Sequence, residues 1–211
     1  MKVRSLIVEN IMLPIGDIIS SQSVAPCFRF LMKSQYWTRE QINNYQNKKL
    51  QLLVNHAYNT VPYYNDLFNK YKLKPEDIKT KYDLNKIPIT TKATIKKEGI
   101  ERFTSTSFPK KEIINASSSG STGEPLFYLN TKKAYSMNIA SSLRGWYWTG
   151  YRLGDKFVKL SQNVRDLKLK KIQDKITNNL YLASDPLTDS NFEFILKKIE
   201  EYKPNIIRCY P

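Results

Sequence analysis

The stretch SSSGSTGEP, residues 117–125, decides the fold that the sequence predicts. It lies between two short apolar runs, Glu112–Ala116 and Leu126–Leu129, which favour β-strands. Glycine reaches positive φ without a Cβ clash, so backbone N–H groups can converge on one point, and serine and threonine hydroxyls add further donors. Such convergence binds anions, most often phosphate. The residues alone leave a solvated hairpin connection open as the alternative.

The spacing of the two glycines matches neither of the common nucleotide-binding loops. Gly120 is not followed by Gly-Lys-Ser/Thr, as a P-loop requires, and the leading glycine of the dinucleotide fingerprint is missing. A phosphate-binding loop of another kind is therefore the functional prediction.

The motif Ser118–Pro125 closely resembles the phosphate-binding motif of the adenylate-forming ligases. Within that superfamily, the chain is most similar to the phenylacetate–CoA ligase branch and its CapK-like relatives of capsular polysaccharide biosynthesis. Four further parts of the chain resemble segments of this branch, in the same order: Leu52–Tyr64, Ile87–Lys92, Tyr151–Asp155, and Lys203-Pro204 with Tyr210-Pro211. The likeness covers nearly the whole chain and is more specific than a single Ser/Gly loop.

The resemblance implies an α/β fold, the N-terminal part of the large domain of an adenylate-forming enzyme. Residues 1–110 would form a helical N-terminal region. Residues 111–211 would begin the nucleotide-binding core, with an incomplete mixed sheet truncated at its C-terminal side. The family's later adenine- and ribose-contacting motifs and its catalytic lysine would lie outside this sequence, so the fragment alone is expected to be inactive.

The resemblance also implies a two-step reaction. ATP with Mg²⁺ and a small carboxylate give an acyl-adenylate, and a thiol, usually coenzyme A, then takes the acyl group. Leu126 stands where many superfamily members have lysine, although the phenylacetate–CoA ligase branch often lacks that lysine too. No catalytic residue and no metal ligand are assigned, and the acyl substrate stays open. The residues that would bind the ATP phosphates are Ser118, Ser119, Gly120, Ser121, Thr122 and Gly123.

Charge supports a second hypothesis. The 211 residues carry 34 Lys+Arg against 19 Asp+Glu, a net charge of +15, while 41% hydrophobic residues suffice for a packed core. A basic, non-catalytic module that binds acidic glycan or nucleic acid is the alternative, with nucleic acid the less favoured partner. Arg165–Lys175 is the candidate anionic-surface contact, although such a charge run is more commonly a solvated helix face. An inactive truncation remnant is the third interpretation.

Other features point to a cytoplasmic protein. Cys27 and Cys209 lie far apart without metal-ligand spacing, which favours thiols in a reducing compartment. His56, the only histidine, is expected to pack rather than catalyse. No secretory signal or transmembrane segment is predicted. The apolar stretch Leu6–Ile19 could dock on the protein's own body, which we favour, or lie on a membrane surface. Peripheral association with membrane or glycan machinery is a further hypothesis, and the oligomeric state stays open.

Local signals predict several helices. Thr38 and Gln41 form a capping box, followed by a helix with Leu50, Leu53, Val54 and Ala57 on one side. Thr131 is predicted to cap a helix over residues 132–149, with Tyr135, Ile139, Leu143 and Trp146 in a row along one side. A second capping box, Ser190 with Glu193, is predicted to open the last helix, which carries a stripe of Phe192, Ile195, Leu196, Ile199 and Tyr202.

The order of elements predicts a parallel crossover. The apolar run Leu126–Leu129, the helix over 132–149 and an alternating strand Lys156–Leu160 together indicate strand, helix and strand within one sheet. Asn205–Cys209 is predicted to be a further strand that enters the interior.

Overall fold

The computed structural model describes residues 3–118, 125–161, 174–186 and 188–209. The chain forms two compact units, one of Met1–Arg29 with Ser136–Pro211 and one of Phe30–Tyr135. The first is called the discontinuous unit below, and the second the central unit. These units do not test the predicted boundary near residue 110 between a helical N-terminal region and the nucleotide-binding core, which stays a prediction.

Helices make up most of the described residues. In chain order they are α1 (Val3–Ile7), α2 (Leu13–Ser20), α3 (Val24–Ser34), α4 (Arg39–Thr60), α5 (Pro62–Lys70), α6 (Lys92–Glu98), α7 (Lys132–Trp148) and α8 (Asp189–Tyr202). A π-helical turn, Val8–Met12, joins α1 to α2, and 3-10 turns cover Pro75–Asp77, Lys81–Lys86, Ile100–Phe103 and Lys110–Glu112. The strands are β1 (Ile113–Ser117), β2 (Phe127–Thr131), β3 (Phe157–Ser161), β4 (Asn179–Ala183) and β5 (Ile206–Arg208).

The central unit is built on α4 and α5. The predicted capping box is confirmed, because the Thr38 hydroxyl accepts the Gln41 N–H while the Gln41 side chain accepts the Thr38 N–H. Val54, Phe68 and Ile78 form its buried core, and Leu50, Tyr58, Leu73 and Ile87 pack around them. Leu53, predicted to share this face, is instead exposed.

The discontinuous unit contains a parallel sheet in the order β4-β3-β5. Helix α8 connects β4 to β5 and covers the sheet, with Ile195 buried against Val158 and Leu182. Because both strands run parallel to β3, the segment β4–α8–β5 is a crossover of the α/β type. The described structure thus has the predicted α/β class.

The crossover predicted across α7 is wrong within the described residues. Strand β2 pairs antiparallel with β1 in a separate hairpin, whereas β3 pairs with β4 and β5. The physical reason is local: β1 and β2 are near neighbours in sequence, and a hairpin satisfies their backbone groups without a long connection. The predicted last strand is confirmed at Ile206–Arg208, but it lies at the edge of the described sheet and Ile207 is half exposed.

Two other predictions need correction. Helix α8 begins at Asp189, because the Thr188 hydroxyl accepts the Asn191 N–H at 3.3 Å, so Thr188 rather than Ser190 is the cap. The buried row of α7 is Ser136, Ala140, Leu143 and Tyr147, shifted by one position from the predicted row at three of its four members. Small side chains at Ser136 and Ala140 allow close packing, which a hydrophobicity pattern does not detect.

Candidate phosphate-binding site

The hairpin β1–β2 brings the two ends of the Ser/Gly stretch together. Its antiparallel register runs from Ile113 opposite Thr131 to Ser117 opposite Phe127. One step further, the Ser118 N–H donates to the Leu126 carbonyl at 2.9 Å. The Leu126 N–H donates to the Ser118 Oγ at 2.8 Å. Backbone and side chain of Ser118 therefore close the loop together.

The described part of the chain contains one of the six predicted phosphate ligands. Ser118 is present at the foot of the loop, and its side-chain oxygen already accepts a main-chain donor. A serine hydroxyl can still donate its own proton while it accepts. The other five predicted residues, Ser119 to Gly123, lie outside the described residues, so their part in the site stays a prediction.

Leu126 contributes its main chain to the site. The sequence placed this residue at the start of a predicted strand and at the position where many superfamily members have lysine, but its pairing with Ser118 was not predicted. The signal was available in the hairpin itself, since residues that follow the last strand pair commonly continue the ladder by one step.

Thr131 ties the hairpin to the following helix. It is the last residue of β2, and its hydroxyl accepts the Ala134 N–H at 3.1 Å, which confirms the predicted cap of α7. By contrast, Phe127, Tyr128 and Leu129 of β2 are exposed. The strand is therefore positioned by its hydrogen bonds to β1 and by this cap more than by burial of its side chains.

His56 belongs to a polar cluster at the end of α4. Its Nε2 lies 3.2 Å from the Thr60 hydroxyl, and its ring centroid lies 5.3 Å from that of Phe108. The Ser105 hydroxyl donates to the Thr60 hydroxyl at 3.0 Å, and the Thr106 N–H donates to the Thr60 carbonyl at 2.9 Å. These bonds attach the loop after α6 to the end of α4, which agrees with the predicted packing role of His56.

A cleft of about 620 Å³ lies within the discontinuous unit, next to Arg152, Asp155 and Asn205. It adjoins the amino ends of β3 and β5, whereas ligands of parallel α/β sheets bind beyond the carboxyl ends. Its polar groups also bond to one another, because the Arg152 guanidinium donates to two main-chain carbonyls and the Arg152 N–H donates to the Asp155 carboxylate. We therefore assign these residues a structural role.

Other predicted sites can be placed only in part. Most of Arg165–Lys175, the candidate anionic contact, lies outside the described residues. Cys27 is buried and Cys209 is exposed, and neither forms a disulfide. Within the described ranges, no three His, Cys, Asp or Glu side chains form a metal-binding group. In the same ranges, no helix combines the length and the apolar composition needed to cross a bilayer.

Curated proteins provide the first comparison. Phenylacetate–coenzyme A ligase of Aromatoleum evansii is 26% identical over 178 residues, which are 82% of this chain and 39% of that protein. The enzyme of the same name from Escherichia coli strain K12 is 30% identical over 109 residues, which are 50% of this chain and 24% of that protein. The chain is similar to phenylacetate–coenzyme A ligases. It spans less than two fifths of the length of these relatives, and no protein-family model matches it.

Solved structures provide the second comparison. 2-Hydroxyisobutyryl-CoA ligase in its postadenylation state, in complex with R3-HIB-AMP, superposes with a TM-score of 0.59 at 14% identity, covering 80% of this chain and 36% of the ligase. The same ligase in complex with 2-HIB-AMP and CoA, in the thioesterification state, gives a TM-score of 0.56 at 17% identity, covering 81% of this chain and 37% of the ligase. The described fold therefore matches the N-terminal part of an adenylate-forming ligase, as the resemblance to phenylacetate–coenzyme A ligases implied.

Proposed function

We propose that the chain is part of an ATP-dependent, carboxylate-activating ligase of the phenylacetate–CoA ligase type, and that residues Ser118–Gly123 bind the phosphates of ATP. The observation that carries this proposal is the double hydrogen bond between Ser118 and Leu126, which fixes both ends of the Ser/Gly loop. A loop held at its ends presents its donors with less loss of conformational freedom on binding than a free segment does.

The proposed loop binds phosphate through neutral donors. With leucine at position 126, the charge that a lysine would bring there is missing. Backbone N–H groups and the hydroxyls of Ser119, Ser121 and Thr122 would contact the phosphate oxygens, and Mg²⁺ accompanying ATP would neutralise part of their charge. Such donors would hold the β- and γ-phosphates, which leave as pyrophosphate, while the substrate carboxylate attacks the α-phosphorus in line.

The substrate classes follow from the relatives. Their names identify coenzyme A ligases, and the structural neighbours are complexes with acyl-AMP and CoA. We therefore assign ATP and a small carboxylate as substrates and coenzyme A as the acyl acceptor. We also place the protein in the cytoplasm, where all three are available.

A link to surface polysaccharide synthesis is a finer part of the proposal, supported by the resemblance to CapK-like proteins. Inactivation of the gene should lower the amount of surface polysaccharide. A wild-type copy should restore it, and a Gly120→Val copy should not. Unchanged polysaccharide after inactivation would remove this link and leave the ligase assignment intact.

Nucleotide binding tests the ligase assignment. The natural polypeptide that contains this chain is titrated with Mg–ATP by isothermal calorimetry, and ATP–pyrophosphate exchange is measured in parallel. Gly120→Val places a branched side chain in the loop and should weaken ATP affinity at least tenfold, about the effect of losing one hydrogen bond to a charged group.

The matched control is Gly145→Val on α7. A Cβ at Gly145 meets nothing within 4 Å, and valine costs no more than glycine in a helix. Gly145→Val should therefore bind ATP like the wild type. Equal affinity of wild type and Gly120→Val, with both proteins folded by circular dichroism, would overturn the phosphate-loop assignment.

A further inference from the structure

The N-terminal segment, α1 to α2, is packed with its polar side against the protein. Ser5 and Asp17 are among its buried residues. The Ser5 hydroxyl donates to the Leu153 carbonyl at 2.7 Å. The Asp17 carboxylate accepts the N–H groups of Val24 and Ala25 at 2.9 and 2.7 Å. Polar groups that would normally face water thus attach this segment to the Leu153 main chain and to the start of α3.

Two further contacts fix the same side. The Tyr147 hydroxyl donates to the Glu9 carboxylate at 2.8 Å, and burial together with this acceptor raises the pKa of Tyr147 well above its usual value. Val8 is buried close to Gly154, where an added Cβ would lie 3.1 Å from the Val8 Cγ2. Both carboxylates of the segment, Glu9 and Asp17, are therefore engaged with the protein's own groups.

The exposed residues of the segment are mainly aliphatic, and Arg4, Asn10 and Ser20 are the polar ones. Six of the aliphatic residues are called the isoleucine face here, and with their exposed fractions they are Val3 (73%), Ile7 (45%), Ile11 (54%), Ile15 (50%), Ile18 (79%) and Ile19 (81%). Together they expose on the order of 600 Å², the upper end of the apolar patches that monomeric proteins show and a size that marks interaction sites.

We propose that the isoleucine face docks on an anionic lipid bilayer surface. An amphipathic helix binds such a surface when its apolar side enters the headgroup boundary and nearby cations attract the lipid. The exposed residues of Val3–Ser20 include no carboxylate, and their one charged member is Arg4. The chain as a whole carries +15. Charge and apolar area therefore favour the same partner.

The composition of the face favours lipid over a second copy of the chain. Protein interfaces concentrate their binding energy in Trp, Tyr and Arg, whereas the isoleucine face is entirely aliphatic. The isoleucine face thus lacks the aromatic and arginine side chains on which protein partners usually anchor.

Vesicle binding tests the proposal independently of any ligase activity. The full chain is sedimented with vesicles of mixed phosphatidylcholine and phosphatidylglycerol, and with vesicles of phosphatidylcholine alone. We expect binding to the mixed vesicles that weakens as salt is raised, and much weaker binding to phosphatidylcholine alone. The double variant Ile11→Ser/Ile15→Ser should lower the partition coefficient at least about tenfold.

The control variant changes two exposed aliphatic residues elsewhere. Leu52→Ser/Ile89→Ser alters side chains of the central unit that are also exposed, and it should bind vesicles like the wild type. Circular dichroism checks that both double variants fold. Equal vesicle binding by wild type and Ile11→Ser/Ile15→Ser would overturn the proposal. So would a concentration-dependent dimer that this variant abolishes, combined with no vesicle binding by the wild type.

Discussion

Ser118 and Leu126 are joined by two hydrogen bonds, and each residue is the donor in one of them. The Ser118 N–H donates to the Leu126 carbonyl at 2.9 Å, and the Leu126 N–H donates to the Ser118 hydroxyl oxygen at 2.8 Å. Ser118, the first serine of the motif, therefore has a structural role, which is to hold the two ends of the Ser/Gly stretch together without a bound phosphate. Substitutions at Ser118 should therefore affect its pairing with Leu126 as well as any contact with phosphate.

Replacing Ser118 with alanine should loosen the foot of the loop. The backbone bond remains, but the Leu126 N–H loses its acceptor, at a cost of about 1 kcal/mol. We expect the Leu126 amide to exchange with solvent about fivefold faster, since local opening determines its protection. Hydrogen exchange followed by NMR measures this. Ser118→Thr keeps a hydroxyl and should preserve the protection, and equal exchange in all three proteins would contradict the proposed pair.

Gly154 should not tolerate a side chain. Its φ is +88°, and an added Cβ would approach Val8 Cγ2 to 3.1 Å. Gly154→Ala should lower the free energy of unfolding by about 2 kcal/mol, through backbone strain and through displacement of α1. Chemical denaturation measures the loss.

Alanine substitutions at two other glycines distinguish backbone strain from the contact with Val8 as the cause of the lost stability. Gly150 has φ +90° but open space around its Cβ position, so Gly150→Ala reports backbone strain alone. Gly145 lies in α7 with nothing within 4 Å, so Gly145→Ala should stabilise the protein by up to about 1 kcal/mol. If Gly154→Ala costs no more than Gly150→Ala, the contact with Val8 contributes nothing.

Asp17 should act as the cap of α3. Its two carboxylate oxygens accept the Val24 and Ala25 N–H groups, which begin that helix and have no intrahelical acceptor. Asp17→Ala should cost about 2 kcal/mol of unfolding free energy, because it leaves buried donors unpaired. Asp17→Asn retains one acceptor oxygen and should cost less. Urea denaturation at neutral pH gives the free energy of unfolding of both variants. If Asp17→Ala unfolds with the same free energy as the wild type, Asp17 does not cap α3.

Tyr151 should contribute a pH dependence at alkaline pH. Burial raises the pKa of Tyr151 to about 12, with the Asp155 charge acting in the same direction. An unfolded tyrosine ionises near pH 10. The folded protein thus keeps a proton that the unfolded chain loses, so this stabilisation is complete below about pH 10 and declines by about 2 kcal/mol as the pH rises to about 12.

The matched comparison is Tyr151→Phe against Tyr82→Phe. Tyr82 is largely exposed. Urea midpoints measured from neutral pH to about pH 11 should fall less steeply for Tyr151→Phe than for the wild type, whereas Tyr82→Phe should follow the wild type. Parallel curves for all three proteins would show that the Tyr151 hydroxyl is not shielded from solvent.

Local signals in the sequence predicted the starts of α4 and α7 but placed the cap of α8 two residues too late. Thr38 with Gln41 and Thr131 with Ala134 make the expected caps, because a cap depends on a few neighbouring residues. Tertiary packing was harder to predict. The buried row of α7 passes through Ser136 and Ala140, whose small side chains carry little hydrophobic signal, and the Ser136 hydroxyl accepts the Ser23 N–H from a distant part of the chain.

In the candidate site, too, local structure was easier to predict from the sequence than the contacts between residues. The strands on either side of the Ser/Gly stretch could be read from their apolar residues, and the hairpin confirms them. The main-chain bond from Ser118 to Leu126 follows if that ladder continues by one step, whereas the bond from the Leu126 N–H to the Ser118 hydroxyl oxygen could not be read from the sequence. For Leu6–Ile19 the sequence left docking on the protein's own body and a membrane-surface position open, and docking was favoured because a helical pattern of apolar residues ordinarily predicts burial. Most of its large apolar residues are instead exposed.

The discontinuous unit also determines an order of events during synthesis. Its first portion, Met1–Arg29, leaves the ribosome before the whole of Phe30–Tyr135, and its partners in Ser136–Pro211 follow last. Domains fold as units while the chain is being made. The hydrogen bond of Ser5 can form only after Leu153 has been synthesised, and that of Glu9 only after Tyr147 has been synthesised. During that interval both sides of α1 and α2 are exposed on the nascent chain, so a chaperone that recognises aliphatic segments would find one in Val3–Ser20.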